Sequence, residues 1–212
     1  CIPFQHLTDR YKDKPALVVS AGPSLDDAIE DIRQNRESMV VIAVGSALRA
    51  LLSAGIKPDF VGFLDFEGPQ QQLANLPEST EDISFLIGPF ADEVCYKTPA
   101  KEYFYVDFFN YPHFSDWMDK TLPKQDVKVN SGSTVSIMSL MCASFMGCNP
   151  ITMVGQDLAL RGTQYYAGGV HGEMDEQGRI VLENSDEQVG RALHLLDIKG
   201  QNGEMLKTTP DY

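Results

Sequence analysis

Short apolar runs recur along the first half of the chain, separated by stretches with helical spacing. Ala16-Leu17-Val18-Val19-Ser20 is apolar up to its last residue and ends at a Gly-Pro turn. A run without polar alternation fits a strand buried on both faces, as in a parallel sheet. Met39–Val44, Phe60–Leu64, Ile83–Ile87 and Glu102–Val106 read the same way. Between them lie helical patterns. One opens at Ser24, whose hydroxyl suits an N-cap, with Asp26 and Asp27 in the first turn, where the helix dipole favours them. Another leads from Gly45-Ser46 to a stop near Gly55. Strands alternating with helices predict right-handed βαβ units. The expected class is α/β: a doubly wound, Rossmann-like, mostly parallel sheet.

The pattern changes after residue 106. Residues 107–126 are irregular and aromatic, as expected of a flap packed on the core. From Ser131 helical spacing returns through Thr134, Ile137, Met138, Met141, Cys142 and Phe145, and Gly147 closes the segment. Ile151–Val154 predicts another buried strand, ending at Gly155-Gln156-Asp157. Leu195–Lys199 and Met205–Thr208 flank Gln201-Asn202-Gly203, and Asn-Gly between alternating runs signals a hairpin. The expected organisation is one nucleotide-binding α/β domain over residues 1–212. Its core spans 14–160, and a lid loop and hairpin appendage span 161–212. The chain opens at Cys1 rather than Met, so it is expected to be a piece of a longer multidomain protein.

Charge narrows the partners. The 212 residues carry a formal net charge of −13 and no basic run. That argues against a nucleic-acid partner, because phosphate backbones are bound by clustered Lys and Arg. A single small phosphate is still compatible, since backbone N–H groups at a helix start bind one without net positive charge. No apolar run approaches the ~20 residues of a membrane helix and no signal peptide is evident, so no membrane partner and a cytoplasmic location are expected. Cys1, Cys95, Cys142 and Cys148 form no CxxC pair, which points to reduced thiols rather than a zinc site.

In an open parallel sheet, ligands bind beyond the C-terminal ends of the strands. The residues that follow the strands are therefore the candidates. Gly22-Pro23-Ser24 has two readings: a close approach of ligand to backbone at a helix start that attracts phosphate, or a tight turn with Ser24 as cap. Ser131-Gly132-Ser133-Thr134 offers hydroxyls and a second helix start, or simply a capping cluster. Ser46 follows one strand, and Gln156 another. Asp65 and Asp157 could bind ribose hydroxyls, hold Mg²⁺ or act as a base, or could be ordinary hydrogen-bonded loop residues. His171 lies in Gly168-Gly169-Val170-His171-Gly172, a setting that suits a catalytic base better than a core position.

Four segments read together are distinctive. They are Pro15-Ala-Leu-Val-Val-Ser-Ala-Gly-Pro-Ser-Leu25, Ala47-Leu-Arg-Ala-Leu-Leu-Ser-Ala-Gly-Ile-Lys-Pro-Asp59, Asn130-Ser-Gly-Ser-Thr-Val135 and Val154-Gly-Gln-Asp-Leu-Ala159. In this order they resemble the domain of motility accessory factors, bacterial flagellin glycosylation proteins. That domain family is named for the 6-hydroxymethylpterin diphosphokinases (MptE-like). The likeness runs from about Pro15 to Thr209.

The resemblance implies two chemistries. A motility-factor domain would take a CMP-activated nonulosonic acid, a nucleotide-activated sugar, and transfer it to flagellin Ser or Thr. The Gly-Pro-Ser-Leu turn is similar to the nucleotide loop of sialyltransferases, which need no metal and use a His base. This assigns the base role to His171, with Asp157 beside it. The nucleotide would lie on Gly22, Pro23, Ser24, Ser46, Asp65, Gln156 and Ser131, Gly132, Ser133 and Thr134. A diphosphokinase would instead use ATP and Mg²⁺, with Asp65 and Asp157 as metal ligands. The first branch is the expected one, because no Lys or Arg stands near the phosphate loops. A nucleotide- or partner-binding module without catalysis is the third reading.

Overall fold

A computed structural model describes residues 1–107, 116–117, 120–121, 127–129, 134–162, 164, 166–168, 173–174, 180–181, 195–200 and 202–208. Seven parallel strands form one sheet: β1 (Ile2–Pro3), β2 (Ala16–Val19), β3 (Val40–Val44), β4 (Phe60–Phe63), β5 (Ser84–Ile87), β6 (Tyr103–Tyr105) and β7 (Ile151–Val154). Their spatial order is β1-β6-β5-β4-β3-β2-β7. From β2 to β6 the sheet grows one strand at a time in one direction. The chain then returns to lay β7 on the opposite side of β2. The fold is the α/β class expected, and six strands fall within a residue or two of their predicted bounds. β1 was not foreseen, since two residues carry no periodic signal.

Side-chain alternation divides each strand between two apolar layers. Leu17, Val19, Val41, Ala43, Val61, Phe63, Phe85 and Ile87 face one layer. There they meet Leu25 and Ile32 of α1 (Leu25–Asn35) and Leu48, Leu51 and Leu52 of α2 (Leu48–Ser53). Two short helices, α3 (Pro69–Leu73) and α4 (Val94–Lys97), add Leu73 and Cys95 to the same layer. Ala16, Val18, Val40, Ile42, Phe60, Leu64, Leu86 and Phe104 face the other layer. Phe4, Leu7 and the α5 helix (Val135–Phe145) cover that side through Met138, Cys142 and Ala143. Burial on both faces explains why the strands read as unbroken apolar runs. Each fully buried Leu, Ile or Phe contributes about 1.5–3 kcal/mol relative to exposure.

The N-terminal edge of the sheet is tied by polar groups. Asp59, just before β4, accepts a 2.8 Å hydrogen bond from the Val41 N–H through Oδ2. Its Oδ1 pairs with Arg36 Nη2 at 3.0 Å, and Arg36 Nε donates to the Lys57 carbonyl at 2.6 Å. This knot fixes β3 against β4 at the end opposite the expected ligand crevice. It also gives the Lys-Pro-Asp59 segment a structural role.

Two antiparallel pairs follow the sheet. β8 (Glu173–Met174) pairs with β9 (Ile180–Val181), and β10 (Leu196–Lys199) pairs with β11 (Met205–Thr208). The second is the hairpin foreseen around Asn202-Gly203, with Gly203 at φ 85°. β11 is joined to the segment after β7: Leu160 N–H donates to the Lys207 carbonyl at 2.8 Å, and Thr208 Oγ1 to the Leu158 carbonyl at 2.6 Å.

Helix α5 approaches β4 closely at Gly62. A Cβ placed there would lie 2.8 Å from Ser139 Oγ, 3.0 Å from Met138 Cε and 3.2 Å from Val135 Cγ1. Gly62→Ala is expected to destabilise the fold by about 1–3 kcal/mol through overpacking. A thermal melt of the variant with no fall in Tm would contradict this packing.

Candidate functional site

The reversal of strand order between β2 and β7 opens a crevice at their C-terminal ends, as α/β topology requires. A cleft of about 290 Å³ lies there. Its walls come from four strand ends: Ser20 to Gly22 after β2, Val44 to Ser46 after β3, Phe63 to Asp65 around the end of β4, and Gly155 to Ala159 after β7. Thr134 to Ser136, at the start of α5, close another side.

Of the residues singled out in the sequence, Gly22, Ser46, Asp65, Thr134, Gln156 and Asp157 line this cleft. Pro23 and Ser24 stand behind it at the start of α1. Ser131, Gly132, Ser133 and His171 lie outside the described residues. Thr134 is the N-cap of α5, its Oγ1 accepting from the Ile137 N–H at 3.2 Å. Its hydroxyl also lies 3.0 Å from that of Ser136.

Ser24 departs from expectation. Its backbone is already helical (φ −68°, ψ −13°), and its hydroxyl does not cap α1. Ser24 N–H and Oγ both donate instead to Asp157 Oδ2, each at 2.9 Å. The cap thus comes from a carboxylate distant in sequence, on the turn after the neighbouring strand β7, which a local capping rule cannot see. Gly22 is needed for a related reason. A Cβ there would fall 2.1 Å from Asp157 Oδ2 and 2.5 Å from the Gly155 carbonyl oxygen. The room left by the missing side chain is taken by Asp157, not held open for a ligand. The turn carrying Asp157 is bent by left-handed Gly155 (φ 71°) and, unusually for a bulky residue, left-handed Leu158 (φ 53°).

Other contacts draw the next segment across α1. Asp26 Oδ1 accepts from the Gly168 N–H and Oδ2 from Gln164 Nε2, both at 2.8 Å. Arg161 grips Asp27 with two bonds, of 3.2 and 2.6 Å, and holds that exposed carboxyl below its usual range. Ala167 N–H donates to the Ala21 carbonyl at 2.7 Å. This path brings Tyr166 to the cleft wall.

Ser20 was expected at the strand end, though not its partner, while Gln72 and Tyr166 escaped the sequence reading. Ser20 donates to Gln156 Oε1 at 2.8 Å. Gln72 comes from the five-residue α3, and its Oε1 would lie 2.2 Å from a Cβ at Gly45. The left-handed Gly68 (φ 104°) followed by Pro69 at the helix start was the available signal for α3. Tyr166 had no local signal, because only tertiary contacts place it.

The electrostatics are one-sided. The described lining contains two carboxylates, Asp65 and Asp157, and no Lys, Arg or His. Asp65 leaves much of its surface exposed, yet its carboxyl is partly withdrawn from water, which raises its pKa above the ordinary carboxylate value. Among the described residues no group of three or more His, Cys, Asp or Glu side chains is arranged to hold a metal ion. The thiols are remote from this chemistry. Cys142 is fully buried, and burial pushes the Cys95 thiol up to about 12.

The chain is an α/β domain whose parallel sheet carries a cleft of mixed polar and apolar lining at its strand-order reversal, the place where open α/β sheets ordinarily bind ligands. The model of the 6-hydroxymethylpterin diphosphokinase MptE-like family matches residues 2–163, and the chain belongs to that family. The solved structure of the Maf glycosyltransferase from Magnetospirillum magneticum AMB-1 superposes with a TM-score of 0.65 at 22% identity. The match covers 97% of this chain and 31% of that one, so the chain spans under a third of the larger protein. No curated protein sequence matches the chain. Among the described residues no helix is long and apolar enough to cross a membrane.

Two variants test this geometry. Gly22→Ala is expected to destabilise by about 1–3 kcal/mol, because the new methyl collides with Asp157 and with backbone. Asp65→Asn should act with the opposite sign. A carboxyl whose folded pKa lies above its unfolded value opposes folding once ionised, and that penalty disappears below the unfolded pKa of about 4. The Asn variant should therefore melt higher at neutral pH, with the difference closing as pH falls through the acid range. A gain independent of pH would show that the carboxyl's charge is not its source.

Proposed function

We propose that this chain is the nucleotide-sugar-binding domain of a glycosyltransferase that uses a CMP-activated nonulosonic acid and acts on flagellin. The observation that carries the reading is the cleft itself: hydroxyls, amides and carboxylates gathered at the β2–β7 crossing, without a cation among the described lining residues. Such a lining suits the many hydroxyls of a nucleoside and a sugar. Transfer of phosphoryl groups from ATP ordinarily draws on Lys, Arg or metal ions to neutralise developing charge. The fold shared with the Maf glycosyltransferase supports the same reading.

On this reading an acceptor Ser or Thr hydroxyl attacks the anomeric carbon of the sugar. The new C–O bond forms as the bond from that carbon to the CMP oxygen breaks, and CMP leaves with the electron pair. His171 is assigned the acceptor's proton. Ser46, Asp65, Thr134 and Gln156 orient the donor by hydrogen bonds, and Gly22, Pro23 and Ser24 build the wall behind it.

The family description favours a second reading, an Mg²⁺-dependent diphosphokinase acting on a hydroxymethylpterin with ATP. Asp65 and Asp157 would then share a Mg²⁺ ion with the nucleotide phosphates, since magnesium is commonly held by one or two carboxylates.

Calorimetric titration with CMP, CDP, ATP and AMP, each with and without Mg²⁺, separates the two. Binding of CMP that does not depend on Mg²⁺ is expected. Binding of ATP alone, only with Mg²⁺, would replace the proposal with the diphosphokinase. In the transfer assay His171→Ala should leave CMP affinity within about threefold while lowering turnover by about 10²–10⁴, the usual contribution of a general base. Equal loss of binding and turnover would remove His171 from the catalytic role.

A further inference from the structure

The start of an eleven-residue helix beside a ligand cleft is ordinarily where a phosphate sits, held by free N–H groups and the helix dipole. Here those donors are engaged. Ser24 N–H is bonded to Asp157 Oδ2 at 2.9 Å. Leu25 N–H donates to the Gly22 carbonyl at 3.0 Å and Asp26 N–H to the Pro23 carbonyl at 3.3 Å. The Ser24 hydroxyl, the other donor at this point, also goes to Asp157.

Charge reinforces the closure. Asp157, Asp26 and Asp27 surround the helix start, and Arg161 is the one cation bonded to them among the described residues. Arg161 faces Asp27 on the outer surface, whereas Asp157 faces the cleft. Like charges at short range disfavour each other, so a phosphate at this helix start would meet the Asp157 carboxylate already bonded to its donors. Asp157 takes the space that a side chain at Gly22 would need, because a Cβ there would collide with its carboxylate. The positive end of the helix is thus satisfied from within the chain.

We propose that Asp157 is a specificity-determining residue: its carboxylate occupies the position a ligand phosphate would take at α1, so only an uncharged part of a ligand reaches the β2–β7 crossing. The phosphate of a bound nucleotide lies away from α1. The groups facing the crossing, Ser46, Gln72, Gln156 and the Asp65 carboxyl, then serve as hydrogen-bond partners for hydroxyls or amides. This rests on the cleft being the ligand site, as proposed above, but its test requires neither nucleotide nor sugar.

Inorganic phosphate is the probe, titrated at constant ionic strength into the ¹⁵N-labelled chain while the Ser24 amide signal is followed. In the parent no saturable shift of that signal is expected at millimolar phosphate. In Asp157→Ala a saturable site is expected at the Ser24 amide, at least tenfold tighter than in the parent, with phosphate raising the variant's lowered Tm. If Asp157→Ala does not fold, Asp157→Asn serves: it loses the charge while its amide oxygen keeps an acceptor near Ser24, and a severalfold gain is expected. Saturable phosphate binding at Ser24 in the parent overturns the proposal. So does a folded variant that gains no phosphate, or gains it away from Ser24. Failure of CMP to bind the parent would remove the glycosyltransferase reading and leave these outcomes unaffected.

Discussion

β2 and β7 are separated by more than a hundred residues of chain, yet their parallel pairing brings together the two turns at the centre of the cleft. Ser20 N–H donates to the Val154 carbonyl, and Gly22 N–H to the Gly155 carbonyl, extending the ladder past the strands themselves. Those bonds hold the turn after β2 against the turn after β7, so the helix start on one meets the carboxylate on the other. The crevice exists because the chain reverses direction across the sheet at this pair. Without it, Ser24, Asp157 and Tyr166 would have no reason to be neighbours.

The sheet was legible in the sequence because burial on both faces removes the polar alternation that complicates other strands. Ala16–Val19 and Val40–Val44 are apolar throughout for that physical reason, whereas β7, the outermost strand, carries an exposed Thr152 among its apolar residues. Helix α5 and the β10–β11 hairpin were legible too, since Thr134 and Asn202-Gly203 act locally. The candidate site was legible in its positions and less so in its roles. Gly22 lines the cleft and Ser24 follows at the start of α1, but the surroundings of both depend on Asp157, which no local rule connects to them. Gln72 and Tyr166 reach the cleft from a five-residue helix and an irregular segment, where periodicity carries no information.

The two ends of the sheet differ in character. At the N-terminal edge Asp59 and Arg36 satisfy one another and the adjoining backbone, leaving nothing for a ligand to do. At the C-terminal end several polar side chains line the cleft. Asp65 stands in partial desolvation there, Ser46 and Gln72 line the cleft, and Asp157 is held by the N–H and hydroxyl of Ser24. The cleft lies at one end of the strands and the Asp59–Arg36 knot at the other, because the parallel architecture gathers all loops of one kind together.

The fit of Asp157 into the space beside Gly22 also bears on how this sequence can drift. The two positions share one volume and one set of hydrogen bonds, so neither can change freely while the other stays. A chain that acquires a side chain at the first must shorten or relocate the second, and a chain that loses the second frees the first to vary. Substitution at these sites is therefore expected to be correlated between relatives. Their joint state, more than either residue alone, would mark which members of the family keep the helix start closed.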